Sequence, residues 1–255
     1  MPIRVSVISY LNTIPFVYGL LNHSVRGSIV LKYATPARAA IDLLEGKTDI
    51  GIIPSAIIPS LGKGNIITDY CIGAIGNVAS VLLCSAVPVQ QIKRVYLDSE
   101  SRTSVLLARI LFRNYWKIDP EYAAFEQNNQ EIDYSASYVL IGDKALRNID
   151  KFNYVYDLAG EWINFKSLSF VFACWTTNKK LDSGFVTEFN DALKFGVENI
   201  KAAVNTVQHD FDNDYAYNYL IDNISYNFSP DKKEGLSEFW SLALEELKSK
   251  VRWFG

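Results

Sequence analysis

The sequence predicts an α/β fold of two lobes with a ligand cleft between them. Strand-like and helix-like periods alternate from the N-terminus, and a second alternating block occupies the middle of the chain. Two extended apolar segments, Val81–Ser85 and Phe170–Cys174, carry the chain between the blocks and form a predicted hinge. Folds of this kind hold small ligands between their lobes. We expect lobe one to comprise residues 1–86 and 175–255, and lobe two residues 87–174.

The N-terminal block follows a β-α-β-α-β order. The predicted elements are a strand at Val5–Ser9, a helix at Pro15–Leu21, a strand at Ser28–Tyr33, a helix at Ala37–Glu45 and a strand at Asp49–Ile53. Thr35 and Pro36 are typical of a helix start, and Gly46 is typical of a helix end. Because crossovers between such strands are right-handed, the strands are expected to be parallel.

The rest of the chain divides into a mixed block and a helical block. The mixed block contains predicted strands at Lys93–Leu97, Tyr138–Ile141 and Ser169–Trp175, and an amphipathic helix at Arg102–Asn114. Further along, apolar residues recur at helical spacing, which predicts helices at Leu181–Val207, Tyr215–Ile221 and Pro230–Lys250.

Composition and charge exclude several classes of partner. Hydrophobic residues make up 49% and charged residues 21% of the 255 positions, as in an ordinary soluble protein. A net charge of −3 gives no broad basic surface, so nucleic acid is not an expected partner. No apolar run approaches the roughly 20 residues that span a bilayer, so no membrane partner is expected. Asn12 and Pro15 interrupt any signal-peptide core, so the N-terminal segment is expected to form the first strand and helix of the fold. We expect a cytoplasmic protein that is a monomer or a homodimer.

The cysteines and histidines argue against a metal centre. Cys71, Cys84 and Cys174 each lie in an apolar run without metal-ligand spacing, which predicts reduced core cysteines. His23 and His209 lie outside every candidate motif. A zinc site or a histidine-based catalytic triad is therefore disfavoured.

The first candidate site is the segment Ser9-Tyr10-Leu11-Asn12, where a strand turns directly into a helix. Such a turn aims backbone N–H groups and small side chains at one point, which suits an anionic small molecule. The alternative is that Asn12 only caps the helix and Pro15 sets its first turn. Four further strand ends with small polar groups favour the ligand interpretation.

The second candidate site is the predicted helix start at Ser101, Arg102, Thr103 and Ser104, which follows the strand ending near Asp98. Ser101 is a natural N-cap, and the hydroxyls of Thr103 and Ser104 fall in the first turn. Free N–H groups and the helix dipole favour a carboxylate there. Capping alone also explains these serines.

Three more strand ends carry small residues, at Pro54-Ser55, at Ser80 and at Gly142-Asp143. Each is also compatible with an ordinary turn, but strand ends of an open α/β sheet face the ligand. Phe170 is the aromatic residue expected in the cleft, whereas most neighbouring aromatics are expected in the core. Asp143 and Glu161 are the nearest candidates for a catalytic acid, and a structural role fits either equally well.

Taken in order, these motifs resemble the chorismate dehydratase family of the futalosine route to menaquinone. The resemblance spans essentially the whole chain and rests mainly on Ser9-Tyr10-Leu11-Asn12-x-x-Pro15 and Leu97-Asp98-x-x-Ser101-Arg102-Thr103-Ser104. Supporting matches are Ser80-Val81-Leu82-Leu83, Leu140-Ile141-Gly142-Asp143, Asp157-Leu158-x-x-x-Trp162, Phe170-Val171-Phe172-Ala173-x-Trp175 and a C-terminal set from Tyr219 to Phe239. The resemblance implies a fold like the type II periplasmic binding proteins. It also implies loss of water from chorismate, a small anionic substrate, to give 3-[(1-carboxyvinyl)oxy]benzoate without a metal or organic cofactor.

Two departures from the family pattern concern the anchoring of a substrate carboxylate. The family often has arginine where this chain has Ala79, and Thr-Gly-Leu-Pro where this chain has Lys166–Ser169. Arg102 and Lys166 are the candidates to compensate.

The resemblance and the motifs together suggest a substrate-assisted mechanism, because the motifs offer mostly neutral groups. The enolpyruvyl carboxylate of the substrate would take the ring proton, and Asn12 would hold that group in place. Asp143 is the alternative base. The other predicted substrate contacts are Ser9, Tyr10, Leu11, Pro54, Ser55, Ser80, Ser101, Arg102, Thr103, Ser104, Gly142 and Phe170.

Other functions stay open at this point. A 1,4-dihydroxy-6-naphthoate synthase of the same pathway typically has a histidine near the strand end that here reads Ile141-Gly142-Asp143. A non-catalytic solute-binding protein would have a signal peptide or a lipoprotein cysteine near its N-terminus. A ligand-sensing domain of a transcription regulator would have a helix-turn-helix and a basic surface. The sequence shows none of these features.

Overall fold

The chain forms two compact α/β units in a computed structural model that describes residues 2–62, 64–98, 100–125 and 131–251. Unit 1 comprises Met1–Ala74 and Val171–Ser229, and unit 2 comprises Ile75–Phe170 and Pro230–Gly255. The division between residues 170 and 171 falls where the sequence predicted a crossing. The chain also changes unit after residues 74 and 229, so residues 75–86 and the last helix belong to unit 2 rather than to lobe one.

Unit 1 is built on a sheet whose six described strands have the order β11-β4-β10-β3-β1-β2. Its strands are β1 (Ile3–Ile8), β2 (Ile29–Ala34), β3 (Ile50–Pro54), β4 (Asn65–Ala74), β10 (Phe170–Thr177) and β11 (Ser225–Asn227). Its helices are α1 (Ile14–Asn22), α2 (Pro36–Leu44), α6 (Ser183–Glu198), α7 (Ile200–Thr206) and α8 (Asn213–Asp222). The strand β1 pairs in parallel with both β2 and β3, which confirms the predicted parallel core.

Unit 2 has its own sheet, with the described strands in the order β7-β6-β8-β5-β9. They are β5 (Val81–Ser85), β6 (Arg94–Asp98), β7 (Glu121–Phe125), β8 (Ser137–Ile141) and β9 (Tyr154–Asp157). The helices are α3 (Thr103–Ile110), α4 (Gly142–Asn148), α5 (Leu158–Lys166) and α9 (Pro230–Val251). The segment Val81–Ser85, predicted as a hinge crossing, is therefore a strand inside this sheet, hydrogen-bonded to β8 and β9.

Two predicted helices differ from the structure in their continuity. The predicted helix Leu181–Val207 is broken at Asn199, whose backbone lies outside the helical region at φ −123° and ψ 37°. The predicted helix Arg102–Asn114 is α-helical only to Ile110 and continues as a π-helix over Leu111–Trp116. Helical periodicity does not register a single-residue break or a widened turn, which explains both differences.

Each unit has an aromatic core, and the cysteines lie within the cores. In unit 1, Phe16 packs edge-on against Trp175 with ring centroids 5.7 Å apart. In unit 2, Trp162 packs against Phe170 at 5.3 Å. The free thiols of Cys71, Cys84 and Cys174 are all buried, as the sequence predicted. No helix in the described part of the chain is long and apolar enough to cross a membrane.

Helices α1 and α6 approach each other closely enough to exclude any side chain at their contact. A Cβ atom placed on Gly196 would lie 1.9 Å from the carbonyl oxygen of Pro15. A Cβ atom on Gly19 would lie 2.0 Å from the carbonyl oxygen of Ala192. Both opposing atoms are backbone, so they have no rotamer by which to move away. Glycine at these two positions therefore fixes where α1 lies on unit 1.

Candidate active site

In unit 1 the polar strand ends identified from the sequence lie at one edge of the sheet. The parallel register Val5↔Ile50 places the ends of β1 and β3 on the same side. The antiparallel pair Ala173↔Pro54 places the beginning of β10 at that edge as well. The segments Ser9–Asn12 and Pro54-Ser55 are thus neighbours at the carboxyl edge of the parallel strands, as expected for an open α/β sheet.

The turn after β1 is held by Thr13, a residue that the sequence analysis did not single out. Its buried Oγ1 lies 2.5 Å from the carbonyl oxygen of Ile8 and 2.8 Å from that of Tyr10. Its backbone N–H also donates to the Tyr10 carbonyl at 3.1 Å, and Ser9 N donates to the Ala34 carbonyl at 3.3 Å. The strand end and the 3-10 turn Leu11–Thr13 therefore form one hydrogen-bonded loop.

Asn12 is fixed through its backbone and not through its side chain. The hydroxyl of Tyr226 in β11 donates to the Asn12 carbonyl oxygen at 2.9 Å. Burial raises the pKa of Tyr226 well above its usual value, so the hydroxyl keeps its proton for this bond. The Asn12 amide makes no hydrogen bond with any residue that the structure describes, and the side chain is partly exposed. This leaves the amide available to a ligand.

The alternative interpretation of Asn12 as a helix cap is wrong. The N-cap of α1 is Thr13, and no side-chain capping bond is formed there. Pro15 does lie in the first turn of α1, as predicted. Of the other predicted contacts in this segment, Ser9 is exposed, Tyr10 is partly exposed and Leu11 is buried. The segment thus presents Ser9, Tyr10 and the Asn12 amide at its surface.

Replacing Thr13 with valine tests whether this loop depends on the hydroxyl. We expect Thr13→Val to lower the free energy of unfolding by about 1–3 kcal/mol, because the single hydroxyl proton that the Ile8 and Tyr10 carbonyl oxygens share is lost. Thr13→Ser, which keeps the hydroxyl, should lose about 1 kcal/mol or less for the missing methyl group. Urea unfolding of both variants checks this. Equal losses in the two variants would contradict a role for the hydroxyl.

Ser55 was predicted as a substrate contact, but the structure gives its hydroxyl another task. The side chain is fully buried, and Oγ donates to the Val171 carbonyl oxygen at 2.7 Å. This bond ties the end of β3 to the beginning of β10. Pro54 is also buried, as the last residue of β3. The hydroxyl proton of Ser55 is thus used within unit 1 and is not offered to a ligand.

In unit 2 the predicted strand ends also come together at one edge. The strand β8 is parallel to β6 and antiparallel to β5, so Ile141 is opposite Val81. Directly beyond that pair, Gly142 N donates to the Ser80 carbonyl oxygen at 2.8 Å. Gly142 has φ +57°, a left-handed conformation that glycine adopts without strain. The bond fixes Ser80, which is buried, beside the start of α4.

The helix start at residues 101–104 differs from the prediction in its cap, because the N-cap position of α3 is Arg102 and not Ser101, and Arg102 forms no side-chain capping bond. Ser101 Oγ accepts a hydrogen bond from Ser104 N at 3.1 Å, and Ser101, Thr103 and Ser104 are all buried. The Ser101 hydroxyl therefore occupies one of the free N–H groups in the first turn of α3. The Arg102 side chain is exposed and forms no ion pair with the described residues. Arg102 is thus a cation of this segment that is available to bind an anion. Ser99, which precedes the segment, lies outside the described residues.

The predicted catalytic acids lie in two different helices of unit 2. Asp143 is in the first turn of α4 and is partly buried. Glu161 is in the first turn of α5, where burial raises the pKa of its carboxyl and a hydrogen bond from the Trp116 side chain opposes that rise. The Trp116 bond gives Glu161 a structural partner. Asp143 is the acid that adjoins Gly142 and Ser80 at the edge of the sheet.

Lys144 adds a positive charge at this edge that the sequence analysis missed. Its Nζ lies 3.8 Å from Oδ2 of the buried Asp98 and 3.8 Å from the centre of the Phe125 ring. Burial lowers the pKa of this ammonium group, and the nearby Asp98 and Glu100 oppose the change. The one sequence feature that could have indicated this role for Lys144 is its position directly after Gly142-Asp143, at the end of β8.

Two predictions about unit 2 need correction. Phe170, expected in the cleft, is fully buried in the core of unit 2 between Trp162 at 5.3 Å and Phe239 at 5.1 Å. Lys166, a candidate carboxylate anchor, is paired with Glu238 at 2.6 Å. Both residues belong to the packing of α5 and α9, so Arg102 is the better candidate anchor.

Within the described residues, no group of three or more His, Cys, Asp or Glu side chains is arranged to hold a metal ion. His209 lies 3.0 Å from the Val204 carbonyl oxygen and accepts from Phe211 N at 3.2 Å, contacts that fix a loop of unit 1.

Known proteins resemble this chain in sequence. A family model described as menaquinone biosynthesis matches residues 3–245. The chain is also 28% identical over 197 residues to a chorismate dehydratase from Thermus thermophilus, an alignment that covers 65% of this chain and 71% of that protein.

Solved structures resemble the chain in fold. A structural-genomics protein from Archaeoglobus fulgidus matches with a TM-score of 0.74 and 15% identity, covering 96% of this chain and 97% of that one. A Candida albicans protein described as having the generic periplasmic binding protein fold matches with a TM-score of 0.59 and 13% identity. The match covers 98% of this chain and 95% of that one. The periplasmic aliphatic sulphonate binding protein of Escherichia coli matches with a TM-score of 0.59 and 12% identity. The match covers 98% of this chain and 93% of that one. The predicted fold class is confirmed.

Proposed function

We propose that this chain, which belongs to the menaquinone biosynthesis family, is a dehydratase that removes water from chorismate to give 3-[(1-carboxyvinyl)oxy]benzoate. The observation that carries the proposal is the Asn12 amide, which has no hydrogen bond to the described chain although its backbone is tightly held. The chorismate dehydratase relative supports this choice of substrate and reaction.

The proposed reaction needs orientation more than a strong acid or base. A ring C–H bond breaks, its electron pair completes the aromatic ring, and the ring C–O bond breaks to release the hydroxyl group. The enolpyruvyl carboxylate of the substrate takes the proton, which then leaves with the hydroxyl as water. The Asn12 amide donates a hydrogen bond to that carboxylate and holds it over the reacting carbon.

The second carboxylate of chorismate requires a cationic or N–H-rich partner. We assign it to the helix start at Ser101–Ser104, where hydroxyls, the dipole of α3 and the exposed Arg102 all favour an anion. Ser80 is assigned to the substrate as well, since its position beside Gly142 and Asp143 is fixed by a backbone hydrogen bond.

Cytoplasmic location and a monomeric or homodimeric state stay predictions from the sequence.

Incubation of the purified protein with chorismate tests the proposed function. We expect the dienyl absorbance of chorismate to fall, and mass spectrometry to detect a product lighter by one water. A titration that shows binding without turnover would contradict the proposal and favour a solute-binding protein. Succinate, a dianion without a ring, serves as the control ligand for non-specific carboxylate binding.

Asp143→Asn distinguishes the substrate carboxylate from Asp143 as the base. We expect kcat to change by less than about tenfold, because a general base contributes about 100- to 10,000-fold. Asp150→Asn, on the exposed turn that follows α4, is the matched control for removing one negative charge. A loss of 100-fold or more that is specific to Asp143→Asn would instead assign the proton to Asp143.

A further inference from the structure

One carboxylate joins two separate segments of unit 2. Asp157, the last residue of β9, accepts hydrogen bonds through Oδ1 from the N–H groups of Ala159 and Gly160, at 3.0 and 3.1 Å. Its Oδ2 accepts from Ala79 N at 2.7 Å, and the N–H of Val78 also donates to the carboxylate. The first pair is an ordinary cap of α5. The second pair has no role in capping.

The segment bound by Oδ2 is a turn with an unfavourable backbone. Ala79 has φ +59°, in the left-handed region that residues with a Cβ atom rarely adopt. Ser80 N donates to the Val78 carbonyl oxygen at 2.7 Å, which closes the turn over three residues. A turn of this kind persists only where its surroundings hold it. The Asp157 carboxylate is one such support, because it binds two consecutive N–H groups of the turn.

The far side of the turn is also fitted to the start of α5. A Cβ atom on Gly160 would lie 2.2 Å from Oδ1 of Asn77, so the absence of a side chain at Gly160 makes room for Asn77. On the other flank of the turn, the Ser80 carbonyl oxygen accepts from Gly142 N at 2.8 Å. Asp157 and Gly160 thus act on the same turn that carries Ser80.

We propose that Asp157 is a positioning residue, which holds the turn at residues 77–80 so that Ser80 meets the substrate in a productive orientation. The inference rests on the proposed function, which assigns Ser80 to the substrate. A purely structural aspartate would need only the two capping bonds. The two additional bonds reach the residues immediately before Ser80, and they act on its backbone position directly.

A double-mutant cycle on chorismate turnover tests the inference. We expect Asp157→Asn to lower kcat/KM by about tenfold, because the amide keeps one acceptor oxygen but turns an NH2 group toward backbone N–H donors. In the Ser80→Ala background the same change should lower kcat/KM by less than about twofold, since the group that it positions is already gone. Asp212→Asn, which removes one oxygen from an equivalent two-bond cap of α8, is the control and should keep full activity.

The outcomes separate this inference from the proposed function. Equal losses from Asp157→Asn in both backgrounds would show a general structural effect and would overturn the inference. A Ser80→Ala variant with unchanged turnover would overturn it too, while chorismate turnover by the unaltered protein would leave the dehydratase proposal standing. If Asp157→Asn does not fold, Asp157→Ser replaces it in the cycle, because serine is also a favourable N-cap but lacks the second oxygen that accepts from Ala79 N.

Discussion

Replacing Asn12 with alanine is expected to lower kcat for chorismate by about 100- to 1,000-fold, the usual effect of losing one preorganised donor at a reacting group. The protein should remain as stable as the unaltered one, because the Asn12 amide makes no hydrogen bond with the described residues. The turn keeps its shape through Thr13 and through the bond from Tyr226 to the Asn12 carbonyl, neither of which the substitution removes. Steady-state kinetics and thermal unfolding of the same preparation measure the two effects separately.

Two further variants make this result specific. Asn22→Ala removes an exposed asparagine at the other end of α1, whose side-chain amide donates to the Tyr18 carbonyl, and should leave kcat unchanged. Asn12→Asp keeps the shape but replaces a donor with a negative charge, so it should raise KM for a dianion as well as lower kcat. Native turnover by Asn12→Ala would refute the assignment of Asn12 to the substrate.

Gly196→Ala is expected to destabilise unit 1 by about 3 kcal/mol or to prevent its folding, at the upper end of the range for overpacking. The added Cβ would lie 1.9 Å from the Pro15 carbonyl oxygen, a backbone atom that moves only if α1 and α6 separate. Gly19→Ala should have a similar effect, because its Cβ would lie 2.0 Å from the Ala192 carbonyl oxygen. Urea unfolding provides the free energies.

Gly27→Ala is the matched control for this prediction. No atom lies within 4 Å of a Cβ on Gly27, and its φ is not in the left-handed region, so alanine there should be nearly neutral. If Gly196→Ala and Gly27→Ala had the same free energy of unfolding, the close approach of the helices would not be a constraint. Pro15 lies in the first turn of α1, directly after the site turn, so a partly folded Gly196→Ala variant should also lose chorismate turnover.

The sequence predicted the strand ends well because hydrophobic runs and turn residues are local signals. The parallel arrangement of β1 and β3 followed from such signals and is confirmed. Phe170 and Ser55 were misassigned for a different reason. A residue's position in a run does not reveal its packing partner, and the partners Phe239 and Val171 are 69 and 116 residues away.

The same limit explains the misplaced C-terminal helix and the missed residues. The helical period of Pro230–Lys250 indicates that one face of the helix is apolar, but it does not indicate which of the two sheets that face covers. Thr13 was not singled out from the sequence, and Asp157 was named only within the motif Asp157-Leu158-x-x-x-Trp162. Their importance comes from carbonyl and N–H groups that only the folded backbone brings within reach.

The bond between Tyr226 and Asn12 has a consequence for the order in which the protein matures during synthesis. The turn at residues 9–13 is translated before β11, and the Tyr226 hydroxyl that binds the Asn12 carbonyl lies 214 positions downstream. Contacts this far apart form late, because the intervening chain must first be ordered. A nascent chain that ends before residue 226 lacks this anchor even where the strands of unit 1 are already made. The turn at residues 9–13 therefore becomes complete only after the 214 residues that separate Asn12 from Tyr226 have been translated.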